Sequence, residues 1–177
     1  MVREIDVTGM RLDAEIVVAA APEVVWDLLA DIANVSTWSP ECVRTAWLED
    51  RPGVRPGAQF SGYNRLPDGR GWSVTCVITE ARRPWTLAWV VLDDEDDTQT
   101  VEQPSSRWRY DLDAAAGDGT VVRHRFEHGP SDSRLRWMMR RYPERSAEIV
   151  ESRRRMLQAN MIHTLTAMKT AAEQPPG

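Results

Sequence analysis

Lysine is almost missing from this 177-residue chain: Lys169 stands beside 21 arginines. The excess of arginine fits a GC-rich coding sequence and carries no mechanistic content. Cysteine is scarce as well. Cys42 and Cys76 are the only two, so no disulfide framework braces the chain, and a reduced, cytoplasmic setting is expected. Nothing near the N-terminus pairs a charged region with an apolar one as a signal peptide does. No apolar run approaches the roughly 20 residues that span a bilayer. The formal net charge of −5 lacks the basic footprint of a nucleic-acid binder. Conventional catalytic signatures are also absent. There is no G-x-S-x-G, H-E-x-x-H, C-x-x-C, Walker loop or G-x-G-x-x-G.

What is present suffices for one domain over residues 1–177, with its core in 12–172. A chain of this size buries roughly 70% of its unfolded surface and needs no staple. Residues 1–11 read as a loosely held lead-in, and Asp13–Ala20 as a strand. Pro22 and Glu23 open a helix, with proline in the first turn and an acid at the positive end of the dipole. It ends near Asp31, and Asn34 is placed to cap a short second helix that stops before Pro40. Strands follow at Cys42–Glu49, Gln59–Leu66, Trp72–Glu80, Thr86–Leu92, Arg107–Asp113 and Thr120–His128. Pro67-Asp68-Gly69 and Gly117-Asp118-Gly119 are hairpin turns. The acidic connection Asp93–Ser105 is long for a hairpin and is expected to be mobile or partly extended. After Gly129-Pro130 the period changes from two to 3.6. A helix over Asp132–Tyr142 is broken by Pro143, and a long one covers Glu144–Ala172. Its apolar stripe is Val150, Leu157, Met161, Leu165 and Met168.

Strand alternation sorts side chains by face. With apolar members inward, the interior holds Phe60, Trp72, Trp89, Trp108, Tyr110 and Phe126. Asn64, His124, His128 and the Tyr110 hydroxyl come inside with them. Arg153, Asn160 and Thr164 fall on or beside the helix stripe. Aromatic walls with a few polar groups are the chemistry of a small-molecule pocket. The bland readings are core filler for the tryptophans, satisfied structural histidines, a buried turn anchor for Asn64 and small packing residues for both cysteines. His124 and His128 lie four apart on one strand, about 13 Å, which is too far for a shared metal. No metal and no cofactor is expected. Between Arg134 and Arg155 eight arginines meet three glutamates. A solvated face, a homodimer contact or an anionic partner would each use that segment.

This order of elements resembles the SRPBCC superfamily, which includes START, birch-pollen-allergen and polyketide cyclase/dehydrase-like proteins. Ala21-Pro22-Glu23-Val24-Val25-Trp26 opens the first helix as that superfamily does. Trp38-Ser39-Pro40-Glu41-Cys42, Gly57–Arg65, Trp72–Val77, Trp108-Arg109-Tyr110 and Asn160-Met161 with Thr164-Leu165 are similar to a bacterial, polyketide cyclase-like branch. The resemblance implies an α+β helix-grip fold, in which a curved antiparallel sheet wraps a long C-terminal helix and leaves a cavity. It implies no activity, since the superfamily holds cyclases, carriers, hydrolases and sensors. The expected function is binding of a hydrophobic, ring-containing or polyketide- or lipid-like molecule. Its contacts are expected to be Trp38, Phe60, Asn64, Arg65, Trp72, Trp89, Trp108, Phe126, Arg153, Leu157, Asn160 and Met161. An aromatase/cyclase would instead use His124, His128, Tyr110 and Glu41 for proton transfer, with Asn64 or Arg65 polarising a carbonyl. A regulatory interaction protein is the third reading. Enclosed histidines should titrate below the usual 6.5 or so, unless Glu41 opposes the shift.

Overall fold

The computed structural model describes residues 5–174. Seven antiparallel strands form one sheet in the order β1-β7-β6-β5-β4-β3-β2. They are β1 (Arg11–Val18), β2 (Cys42–Trp47), β3 (Gln59–Arg65), β4 (Gly71–Arg82), β5 (Thr86–Asp93), β6 (Ser106–Ala115) and β7 (Gly119–His128). Two helices, α1 (Pro22–Ala30) and α2 (Ala33–Trp38), sit between β1 and β2. After β7 come α3 (Arg134–Arg141), one 3-10 turn over Pro143–Arg145, and α4 (Ser146–Ala172). At 27 residues, α4 is about 40 Å long. This is the helix-grip arrangement.

Turn chemistry follows the sequence closely. Gly117 and Asp118 both take positive φ in the β6–β7 turn, and Gly69 does so in the β3–β4 turn. Two local expectations fail. Asn34 does not cap α2. Its side-chain amide donates to the Leu28 carbonyl, tying off α1, while Asp31 accepts the Ala33 amide instead. The acidic connection is folded, not extended: the buried Gln99 accepts from the Asp93 amide and donates to Asp96 and to the Asp132 carbonyl.

Alternation decides what each sheet face meets. The convex face carries a lattice of ion pairs. Arg109 joins Glu80 and Asp111, Arg123 joins Glu15 and Asp113, and Arg125 meets Asp13. These side chains are a third to two-thirds exposed, so each pair contributes at most about 1 kcal/mol. The concave face is apolar and packs on α4 through Leu157, Met161, Leu165 and Met168, all 2% exposed or less. Val150 belongs elsewhere. It packs with Ile149 against a satellite cluster of Val7, Leu135 and Met139, which seats α3 beside the start of α4. That separation matters, because the space between the satellite cluster and the main core is hollow.

Candidate functional site

A cavity of about 430 Å³ lies between the concave face and the first half of α4, with α3 over one end. Exposed residues in its lining (Arg70, Arg145, Glu148 and Ser152) place the mouth between the β3–β4 hairpin and the start of α4.

Strand register builds its walls. Trp89, Trp108 and Phe126 form one cross-strand row, and Tyr110 and His124 pair in the next. The rings make a continuous belt. Phe60 meets Trp89 edge-on at 6.0 Å, and Trp89 lies 5.9 Å from Tyr110. Tyr110 stacks on His124 at 4.0 Å, and Trp108 lies 5.1 Å from His124 and 4.9 Å from Phe126. Such offset and edge contacts hold aromatic rings in fixed orientations, so the wall is preorganised.

The polar groups fall into distinct settings. His124 is 4% exposed, and neither ring nitrogen has a hydrogen-bond partner. Burial pushes its pKa down to about 3, so the ring is neutral at physiological pH. His128 is fully engaged. Its Nδ1 donates to the Gly129 carbonyl at 2.9 Å, which leaves Nε2 to accept from the Ser133 hydroxyl at 2.9 Å. Ser133 in turn accepts the Arg136 amide and caps α3. Burial lowers the pKa of His128 too. It raises that of the enclosed Tyr110 hydroxyl and takes Cys42 up to about 11. Neither Cys42 nor Cys76 is a thiolate, since burial raises the Cys76 thiol well above its ordinary value as well.

Glu41 is placed by the turn before β2, where the Ser39 hydroxyl accepts the amides of Glu41 and Cys42. Its carboxylate is gripped by both terminal nitrogens of Arg153, at 2.7 and 2.9 Å, with Asn160 at 3.4 Å. It faces the cavity as half of an ion pair and not as a free base.

The cavity lining therefore brings together Phe60, Asn64, Trp72, Trp89, Trp108, Tyr110, His124, Phe126, His128, Glu41, Arg153, Leu157, Asn160 and Met161. Trp38 and Arg65 lie elsewhere. Trp38 is 6% exposed and closes α2 inside the core, while Arg65 is exposed at the end of β3. Reading the sequence missed the α3 contribution: Arg134, Leu135 and Met138 all line the cavity. Their helical spacing was visible, but α3 has only two buried residues, so it reads as a surface helix. Among the described residues no cluster of three metal-ligating side chains occurs, and no helix is long and apolar enough to cross a membrane.

A family model described as "Polyketide cyclase / dehydrase and lipid transport" matches residues 10–173. The chain belongs to this family. No curated protein matches significantly. Among solved structures, the chain is similar to the following. The Polyketide_cyc-like protein Cgl2372 from Corynebacterium glutamicum is 26% identical over 94% of this chain and 93% of its own, with a TM-score of 0.64. The di-domain ARO/CYC StfQ from the steffimycin biosynthetic pathway is 18% identical over 92% of this chain, with a TM-score of 0.68. The di-domain ARO/CYC BexL from the BE-7585A pathway is 17% identical over 94% of this chain, with a TM-score of 0.65. Each of these two is matched over 50% of its own length, so the chain is similar to half of each. At those identities the likeness shows the fold alone.

Proposed function

We propose that this protein binds a hydrophobic, ring-containing small molecule in its internal cavity and does so without acid–base chemistry of its own. The observation that carries this reading is the state of the polar groups on an otherwise aromatic wall. A general base needs a reachable lone pair and a pKa near the working pH. His124 offers neither, His128 spends one nitrogen on the Gly129 carbonyl and the other on the Ser133 hydroxyl, and Glu41 is clamped by Arg153. The cavity volume falls in the range of about 300–1,000 Å³ that small-molecule sites occupy.

The cyclase reading keeps one supporting observation, the family description itself. An enzyme of that kind would rely on holding one folded conformer and excluding water. The interaction-protein reading loses its main motive, because the basic segment is mostly self-neutralised. Arg136, Arg140, Arg145, Arg153 and Arg155 pair with Asp6, Asp132, Glu148, Glu41 and Glu151.

The test is tryptophan quenching with 1-pyrenebutanol, together with native mass spectrometry of the purified protein for a co-purifying ring compound. Saturable quenching is expected, weakened in Trp108→Ala. Absence of saturable quenching overturns the reading. Cyclisation of a poly-β-keto thioester that is lost in His124→Gln or His128→Gln, with affinity retained, would replace it with the enzymatic one.

A further inference from the structure

Four arginines line the cavity, and three are already neutralised within the protein. Arg70 pairs with Asp68, Arg145 with Glu148, and Arg153 with Glu41. Arg134 is different. Among the described residues no carboxylate lies within 4.0 Å of it. Its guanidinium instead sits over the Trp72 ring, 5.0 Å from the centroid. Both residues line the cavity, and both are only half-buried.

That geometry has a chemical meaning. The ring face holds the cation by a cation–π contact, and among the described residues no hydrogen bond uses the guanidinium N–H donors. A planar fork with free donors matches a carboxylate, which it can receive through two parallel hydrogen bonds. Deeper inside, no charge is left to meet an anion. Arg153 is matched by Glu41, and both histidines are held neutral. A charged group taken to the cavity floor would lose its water without a partner, whereas at Arg134 it keeps part of its hydration and gains a cation.

Resting on the binding reading above, we propose that the ligand is an acidic amphiphile, with its ring system among Trp89, Trp108 and Phe126 and a single carboxylate on Arg134 at the mouth. The recognised chemistry is a planar monoanion attached to an apolar ring body.

The experiment compares 1-pyrenebutyrate with its uncharged counterpart 1-pyrenebutanol on the same protein. Wild type should bind the acid about tenfold more tightly, the effect of one charge-assisted hydrogen-bonded pair. Arg134→Gln should remove that preference. Arg134→Lys, which keeps the charge but not the fork, should keep only part of it. Arg140→Gln should leave the acid-to-alcohol ratio as in wild type, because Arg140 lies outside the cavity lining and pairs with Asp132. Equal binding of acid and alcohol by wild type overturns this inference and leaves the binding reading standing. So does a preference that survives in Arg134→Gln. If neither probe binds wild type, the binding reading fails and takes this inference with it.

Discussion

The two ends of the concave sheet face are built from the same strands with the same alternation, yet one is solid and the other hollow. At the solid end Ile78, Leu87, Leu112 and Val122 are 2% exposed or less and none of them borders the cavity. Helix α1 packs there on β6, β7 and α4, and brings in Val25, Trp26 and Leu29. At the hollow end the cover is α3, an eight-residue helix that buries only Leu135 and Met139. Both belong to the satellite cluster, and Leu135 also borders the cavity. The lesson is that strand alternation selects which side chains face inward. Whether they meet protein or empty space is decided by the helices opposite.

The largest effects should therefore separate the two ends. Met168 is fully buried at the solid end of α4, and Met168→Ala should cost about 2–5 kcal/mol through lost burial plus a new cavity. Filling space should show the reverse asymmetry. Val122→Phe, in the solid end, should cost about 1–3 kcal/mol by overpacking, whereas Val91→Phe, whose ring can enter the cavity, should cost under about 1.5 kcal/mol. Val91→Phe should also weaken 1-pyrenebutanol binding. Urea denaturation of the three variants decides it, and equal destabilisation by the two phenylalanines would mean that the ends do not differ.

Next comes the ion pair that fastens the hollow end. Glu41 and Arg153 join the start of β2 to α4, with side chains 14% and 24% exposed. Arg153→Leu strands a mostly buried carboxylate with Asn160 alone, at a cost of about 1–3 kcal/mol. Glu41→Gln combined with Arg153→Leu should recover part of that loss, since no unpaired charge remains. A double variant as unstable as the sum of the singles would show that the pair carries no coupling.

The solid end was legible in the sequence, and the hollow end only in part. Inward faces of β3 to β7 follow from period-two alternation alone, and the stripe Leu157, Met161, Leu165, Met168 follows from helical spacing. Trp38 was misplaced because a motif says which residues recur together and not which way they point. Here Trp38 closes a short helix inside the core. Val150 shares the α4 stripe, but the helix is longer than the sheet face, so its first turns meet α3 instead. Arg134 could not be singled out among eight arginines, because its distinction is what it lacks, and partners across 60 or more residues of chain are not written in local pattern. The Glu41–Arg153 pair, 112 residues apart, was out of reach for the same reason.

Acid should expose the two histidines of the hollow end before anything else. In the unfolded chain each imidazole takes up a proton near pH 6.5, while folded His124 does so only at about 3, and His128 is shifted in the same direction. Between those values the unfolded state holds more protons, so stability is full above about pH 6.5 and falls as pH drops below it. The slope is about 1.4 kcal/mol per pH unit for each proton. Carboxylates held low by arginines, such as Glu80 and Asp132, lose their contribution only further down, as pH falls through the ordinary carboxylate range near 4. Urea denaturation at pH 7.5 and 5.5 should thus show a loss that His124→Leu reduces by about 1 kcal/mol. An unchanged pH dependence in His124→Leu would place the acid sensitivity elsewhere.

The smallest global effect, and the sharpest local one, should come from the cover itself. Ser133 accepts the Arg136 amide and donates to His128 Nε2, so one hydroxyl caps α3 and pins it to the end of β7. Losing an N-cap side chain costs about 1 kcal/mol. Because α3 rests on a cluster separate from the main core, that loss should appear as local opening and not as global unfolding. Ser133→Ala should therefore speed hydrogen exchange of α3 amides about fivefold, since 1 kcal/mol corresponds to roughly that factor. Amides of β6 and β7 around Leu112 and Val122 should keep their protection. Faster exit of bound 1-pyrenebutanol should accompany the change, because α3 covers one end of the cavity. If exchange rises equally in α3 and in the central strands, α3 opens only with the whole domain. The two ends of the sheet would then differ in packing but not in mobility.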